Sequence, residues 1–172
     1  MKYEEVELKD AYALQNAGGL VFVCTKGSEG RYDLAPVAWC CPLDYEPVSR
    51  LLCVLDTGHK TLKDLRESCE FVLALPSSAQ MDLVVDCGSV SGFKVDKYEK
   101  LGIRAFPAKR VDALIPEGVA GWLECRLSEI VVRGTSAIVL ADVVHAEAEP
   151  DSWKRRIHFV DEETSFVAGD RI

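Results

Sequence analysis

Residues 120–148, AGWLECRLSEIVVRGTSAIVLADVVHAEA, carry the clearest β-strand signal in this chain. Valine, isoleucine, leucine and aromatic residues recur through 120–132 and 137–148, and residues of these types favour extended backbone. The intervening Arg133-Gly134-Thr135-Ser136 suits a tight hairpin turn. The stretch therefore predicts two long antiparallel strands that form the backbone of a sheet.

Shorter strand signals precede this hairpin. Residues 19–25 and 32–41 are apolar runs separated by the turn-forming KGSEG, which predicts a second hairpin. Pro36 cannot donate a ladder hydrogen bond, so we expect its segment to be an edge, a bulge or a place where the backbone faces something other than a strand. Residues 50–56 and 70–75 predict two further strands.

Helices are short and lie between the strands. One is expected to begin at Thr61, where a capping residue is followed three positions later by the acidic Asp64. Two others are expected over 77–86 and 96–101. No linker or repeat divides residues 1–172, so we expect one mainly β domain with barrel-like antiparallel architecture rather than a doubly wound sheet.

The composition of the chain limits the classes of function that it can have. The net charge of -8 and the lack of a basic stripe argue against nucleic-acid binding. No apolar run reaches the roughly 18 residues of a membrane span, and the first residues do not resemble a signal peptide, so a cytoplasmic protein is expected. The seven cysteines include no CxxC pair and fit reduced thiols; redox activity of the adjacent Cys40-Cys41 pair stays open.

Several familiar signatures are missing from the sequence. It contains no GxGxxG after a strand, no GxxxxGK[ST] and no nucleophile elbow, which argues against Rossmann, P-loop and serine-hydrolase chemistry. His59, His145 and His158 are far apart and form no HExxH, so no metal site is expected.

The segment 56–61, DTGHKT, joins a predicted strand through glycine to the first predicted helix. Helix N-termini bind phosphates because their first N–H groups lack internal partners and lie at the positive end of the helix dipole. His59 and Lys60 add donors and charge. The alternative is a solvated turn with an ordinary threonine cap.

Five segments in a fixed order resemble the flavin reductase-like family of FMN-binding split barrels, which includes NAD(P)H:flavin reductases and flavoredoxins. The segments are LVFVCT at 20–25, DLAPVAW at 33–39, GHKTL at 58–62 with EFVLALP at 70–76, SGFKVDKY at 91–98 and LECRL at 123–127. Each is weakly specific alone, whereas the ordered set is specific. The resemblance implies an antiparallel, Greek-key split β-barrel that binds FMN.

The resemblance also implies site residues. Thr25 and Ala35, Pro36, Val37, Ala38 and Trp39 would lie along the isoalloxazine ring; His59, Lys60 and Thr61 would hold the phosphate; and Ser91, Gly92 and Lys97 would border the cofactor. His158 would lie on the nicotinamide side. The alternative for Trp39 is a core aromatic, and for Lys97 the start of a surface helix.

Two departures from the family pattern bear on function. Asp33 and Ala38 stand where relatives often have asparagine and serine, and acidic residues replace glycines after His158. The expected function is electron transfer from NADH or NADPH to flavin, with a flavoredoxin-like carrier lacking a nicotinamide site as the alternative and a cofactor-free β-barrel as the second alternative. The resemblance further implies a homodimer, and a carrier would need a redox protein partner.

Overall fold

The computed structural model describes residues 19–149, 152, 157–159 and 165–167. Strands predominate within these ranges, and the helices are short. The elements in chain order are β1 (Val21–Lys26), β2 (Tyr32–Val37), β3 (Cys40–Asp44), β4 (Arg50–Asp56), α1 (Lys60–Ser68), β5 (Glu70–Leu75), α2 (Met81–Ser89), α3 (Lys97–Lys100), β6 (Ala105–Pro107), β7 (Leu114–Pro116), β8 (Gly121–Arg133), β9 (Ser136–Ala148), β10 (Ile157–Phe159) and β11 (Ser165–Val167).

Seven of these strands form one sheet in the order β2-β1-β5-β8-β9-β4-β3. The long hairpin predicted from the sequence is confirmed: β8 and β9 pair antiparallel from Arg133 opposite Ser136 to Gly121 opposite Ala148. Gly134 turns the chain with a φ of 59°, a conformation that glycine adopts without steric cost. The β1–β2 hairpin is also confirmed, and β2 lies at the sheet edge, which is one of the three settings expected for Pro36.

The two edge strands of the sheet follow each other directly in the chain. Only Ala38 and Trp39 separate β2 from β3, and the Val54 N–H donates to the Trp39 carbonyl at 2.9 Å. The sheet is therefore strongly curled, because its first and last strands meet at this link. No ladder joins β2 to β3 within the described ranges, so the sheet is not closed and the fold is mainly β with short helices.

The core lies on both faces of the sheet. Alternate residues of β1 point to opposite faces, so Val21 and Val23 belong to one apolar cluster and Phe22 and Cys24 to the other. Helix α1 packs into the first cluster through Leu62 and Leu65, and α2 packs into the second through Val84 and Cys87. This packing fixes α1 at the end of β4.

The start of α1 differs from the prediction. The helix begins at Lys60 with the extended residue His59 in the N-cap position, whereas Thr61 lies buried in the first turn and caps nothing. Asp64, predicted to complete the capping box, is fully buried and binds other side chains. The other two helices lie near their predicted positions, and no described helix has the length and apolar character needed to cross a membrane.

Candidate functional site

The N-terminus of α1 is presented by a short turn after β4. The Gly58 N–H donates to Asp56 Oδ1 at 2.7 Å, and the His59 N–H donates to the Asp56 carbonyl at 3.2 Å. Among the described residues, no side chain caps the helix. The first N–H groups of α1 therefore point away from the helix body at the positive end of its dipole, which is the geometry of an anion site.

This helix end opens into a groove made of two adjoining cavities. The larger, of about 300 Å³, contains the turn after α2 and the start of α1. The smaller, of about 210 Å³, runs along the end of β2 and the end of β4. The two cavities share Ala35, Pro36, His59 and Thr61, so one end of the groove is polar and the other is largely apolar.

Most of the residues predicted from the sequence border this groove. The larger cavity is lined by the predicted residues Ala35, Pro36, His59, Lys60, Thr61, Ser91, Gly92 and Lys97, and the smaller one adds Val37, Ala38 and Trp39. Trp39 is 49 % exposed and is therefore not a core aromatic. Lys97 begins α3 but is 4 % exposed, so it does not belong to a solvated surface turn.

Two predicted residues do not line the groove. Thr25 is fully buried and donates its hydroxyl hydrogen to Asp64 Oδ2 at 3.2 Å. His158 lies in β10, opposite Phe166 of β11 and beside Gly19 at the start of the described chain. The acidic residues Asp161, Glu162 and Glu163 that follow His158 lie outside the described residues.

The side chain of Lys60 points into the protein. Its Nζ is 2.5 Å from Asp64 Oδ2 and 3.0 Å from Glu29 Oε1, and the side chain is only 2 % exposed. Burial acts to lower the pKa of Lys60, but the hydrogen bonds to Asp64 and Glu29 outweigh burial and raise the pKa above its ordinary value. The charge of Lys60 is thus compensated by the carboxylates of Asp64 and Glu29.

Asp33 is a buried acid in the wall of the groove. Its carboxylate lies against Lys97 Nζ, 3.5 Å from Oδ1, and any Cβ at position 92 would overlap it, which explains a glycine there. In the described part of the chain, Asp33 Oδ1 accepts no hydrogen bond. Burial raises the pKa of Asp33, against the opposing effect of the Lys97 charge.

Sequence reasoning missed part of this wall. Asp33 is named above as a departure from the family pattern and not as a site residue, and residues 88–90, which precede the predicted Ser91 and Gly92, are not among the predicted residues. Asp33 and residues 88–90 line the larger cavity, together with Cys87. The signal available in the sequence was the pair Gly88 and Gly92 at the end of a short helix, which permits close approach of backbone to a ligand.

Comparison with known proteins assigns a family. The model of the flavin reductase like domain matches residues 14–161 of the chain. A protein of uncharacterised function from Methanothermobacter thermautotrophicus is 28% identical over 137 residues, which are 77% of this chain and 64% of that protein. The match thus spans just under two thirds of the length of this relative.

Solved structures show the same fold. The FMN-binding domain of a flavin reductase-like enzyme from Shewanella baltica OS155 is 28% identical, with a TM-score of 0.77 over 97% of this chain and 94% of its own. The flavoredoxin of Desulfovibrio vulgaris (Miyazaki F) superposes with a TM-score of 0.85 at 18% identity, over 100% of this chain and 96% of its own. Because the family model covers most of the chain, this protein belongs to the flavin reductase like domain family.

Proposed function

We propose that the groove binds FMN and that the protein is an oxidoreductase that moves electrons through this flavin. The observation that carries the proposal is the uncapped N-terminus of α1, which opens directly onto a slot with a largely apolar wall. FMN has the matching pair of parts, a dianionic phosphate and a flat aromatic ring. The similar domain from Shewanella baltica is described as FMN-binding, which supports the same cofactor here.

The residues of the groove fit FMN. The N–H groups of Lys60 and Thr61, with exposed His59 beside them, would hold the phosphate. Residues 35–39 would line the ring, and the outer side of β2 is a sheet edge whose backbone groups have no ladder partner among the described residues. Gly92 and Asp33, whose Oδ1 is ion-paired with Lys97 but accepts no hydrogen bond from the described residues, leave a polar wall beside the middle of the groove.

Bound FMN would supply the chemistry of hydride and single-electron transfer, and the chain would position it and exclude water. In the enzyme hypothesis, NADH or NADPH reduces the flavin, which then serves an acceptor. In the carrier hypothesis, a redox protein partner reduces it and nicotinamide has no site. The family name favours a reductase, and the likeness to a flavoredoxin keeps the carrier as the second candidate.

One experiment separates these functions. Protein saturated with FMN is mixed anaerobically with NADH or with NADPH while the flavin absorbance near ~450 nm is followed. Rapid bleaching by either nucleotide supports a reductase. Bleaching by dithionite alone supports a carrier. If FMN added to folded protein does not bind in equilibrium dialysis, the flavin assignment fails and a cofactor-free β domain replaces it.

We further propose that the protein acts as a homodimer. Strand β3 is an edge strand, and the segment that it begins exposes Leu43, Tyr45 and Val48. A third cavity, of about 540 Å³, runs beside this segment and has a mainly apolar lining. Pairing through this surface would cover apolar side chains close to Trp39, at the ring end of the groove.

A further inference from the structure

Two cysteines lie directly opposite each other in the β3–β4 ladder. Cys40 of β3 pairs with Cys53 of β4 in the antiparallel register. Cys53 is fully buried, and Cys40 is partly buried and packs against the same apolar cluster. Both side chains therefore point to the core face of the sheet.

The backbone hydrogen bonds show which type of antiparallel residue pair Cys40 and Cys53 form. The Val54 N–H donates to the Trp39 carbonyl at 2.9 Å, so the bonded position flanks Cys40 and Cys53. Residues opposite each other between bonded positions form the closer type of antiparallel pair, with Cα atoms about 4.5 Å apart. Pro42, two residues further along β3, has no N–H to donate and fits the same alternation.

A Cα separation of about 4.5 Å lies within the range that a disulfide bond spans, which is roughly 4.4 to 6.8 Å. Cys41, by contrast, points to the opposite face of β3 from Cys40 and is exposed. The register thus points to Cys40 and Cys53, on neighbouring strands, as the candidate redox pair instead of the adjacent Cys40 and Cys41.

We propose that Cys40 and Cys53 form a reversible disulfide when the protein meets a small oxidant such as hydrogen peroxide. Cys40 lines the apolar cavity beside β3 and so meets the oxidant first. Burial raises the pKa of the Cys53 thiol to about 12, which disfavours first attack by Cys53 on the oxidant. The proposal rests on strand register and does not depend on flavin binding.

The chemistry balances in two steps. The Cys40 sulfur attacks one peroxide oxygen, the O–O bond breaks, and Cys40 becomes a sulfenic acid with release of one water. The Cys53 sulfur then attacks the Cys40 sulfur, the S–O bond breaks, and the Cys53 proton leaves with the hydroxyl group as a second water. Two thiols are oxidised by two electrons, and one peroxide is reduced to two waters.

Formation of this bond would tie β3, which Trp39 directly precedes, to β4, which contains Val54. Both of these residues line the smaller cavity, on the opposite face of the ladder from the two cysteines. In the oxidised protein, the disulfide bond would therefore fix β3 to β4 in one wall of the groove.

The test is peptide mapping of the cofactor-free protein that comprises residues 1–172. Reduced protein is treated with hydrogen peroxide, blocked with N-ethylmaleimide, denatured and digested with trypsin without reductant. Cleavage after Arg31, Arg50 and Lys60 places Cys40 and Cys53 on the separate peptides 32–50 and 51–60. We expect a joined peptide that carries one maleimide on Cys41 and that separates after addition of dithiothreitol.

Two cysteine variants test which residues form the disulfide bond. Cys41→Ser should retain the joined peptide, whereas Cys40→Ser should lose it. A link from Cys41, a link between Cys53 and the buried Cys125, or unlinked peptides from folded wild-type protein would each overturn the proposal. Circular dichroism before oxidation establishes that each sample is folded, and the wild-type digest alone decides the outcome if a variant fails to fold.

Discussion

The structural role of Lys60 follows from the buried position of its charged side chain. Its ammonium lies between Asp64 and Glu29, and Asp64 also accepts a hydrogen bond from Thr25. The three carboxylates of Glu29, Asp64 and Glu67 come within 4.8 Å of one another, and Lys60 and Lys63 form ion pairs within this group. Lys60 therefore neutralises a buried acid whatever occupies the groove.

We predict that Lys60→Ala lowers the free energy of unfolding by about 3 kcal/mol, because Asp64 stays buried without a cation. FMN affinity should fall by less than roughly threefold, since the backbone N–H groups remain. Urea denaturation and fluorescence titration measure the two effects. The control, Lys63→Ala, removes a half-exposed charge of the same network and should cost about 0.5 kcal/mol or less.

A variant Lys60→Ala with unchanged stability and an FMN affinity reduced tenfold or more would contradict this prediction. It would show that the ammonium turns into the groove and meets the phosphate directly.

Asp33 places a negative charge where a dianionic nucleotide would bind. We predict that Asp33→Asn tightens FMN binding by about fivefold, roughly 1 kcal/mol, because the nucleotide no longer meets this charge and Lys97 becomes uncompensated. Calorimetric titration of folded protein measures the affinity. Asp82→Asn, an exposed aspartate of α2 outside the groove lining, makes the same charge change and should leave it unaltered.

Weaker FMN binding by Asp33→Asn would instead mean that the carboxyl group itself bonds to the cofactor.

At the level of elements, the residue before the first turn of α1 affects both helix stability and phosphate binding. An acidic N-cap would accept hydrogen bonds from the first N–H groups and favour the helix, whereas His59 leaves them open. We predict that His59→Asp stabilises the protein by about 1 kcal/mol and weakens FMN binding at least tenfold, because the carboxylate occupies and repels the phosphate position.

Riboflavin supplies the matched control for His59→Asp because it has the same ring without the phosphate. Its affinity should change little in the variant, and equal losses for FMN and riboflavin would place the phosphate elsewhere. Thermal unfolding of the cofactor-free variant measures the expected gain in helix stability.

Glu124 of β8 secures the segment between β6 and β7. This fully buried carboxylate accepts hydrogen bonds from the backbone N–H groups of Lys109 at 3.0 Å, Arg110 at 2.5 Å and Val111 at 3.2 Å. The Trp122 indole N–H donates to it as well, at 3.4 Å. These four hydrogen bonds hold the segment to β8, and the loss of an accepting oxygen would leave buried N–H groups unsatisfied.

We predict that Glu124→Gln lowers the free energy of unfolding by about 2 to 3 kcal/mol, because the amide replaces one accepting oxygen with a donor that faces N–H groups. Denaturant unfolding measures the change. Glu129→Gln, at an exposed position of the same strand, should change stability by less than about 0.5 kcal/mol. Equal effects of the two substitutions would contradict the role given to Glu124.

At the level of the whole molecule, the exposed surface of β3 and the turn after it tests the proposed homodimer. We predict that Leu43→Glu shifts the protein toward monomer in analytical ultracentrifugation, because a charge would be buried between apolar surfaces. Val85→Glu changes an exposed apolar residue of α2 in the same way and should leave assembly unaltered. Monomeric wild-type protein at micromolar concentration would contradict the proposal.

Strand positions were predictable because their signals are local. Residues 50–56 and 70–75 match β4 and β5 at both ends, since β-branched and apolar runs there are closed by turn residues or proline. Helix detail was less predictable: α1 begins at Lys60 rather than Thr61, with His59 in the N-cap position and Thr61 buried in the first turn.

The candidate site also has features that the sequence predicts and features that only the tertiary structure decides. The sequence by itself determined that a strand, a glycine turn and a helix follow one another at 50–68, and a helix N-terminus is an anion site by its backbone alone. Only the tertiary structure decided that the ammonium of Lys60 faces Glu29, that Asp33 reaches Gly92, and that Cys40 lies opposite Cys53. The reason is that backbone conformation follows from neighbouring residues, whereas the partner of a buried side chain is set by strand pairing between distant parts of the chain.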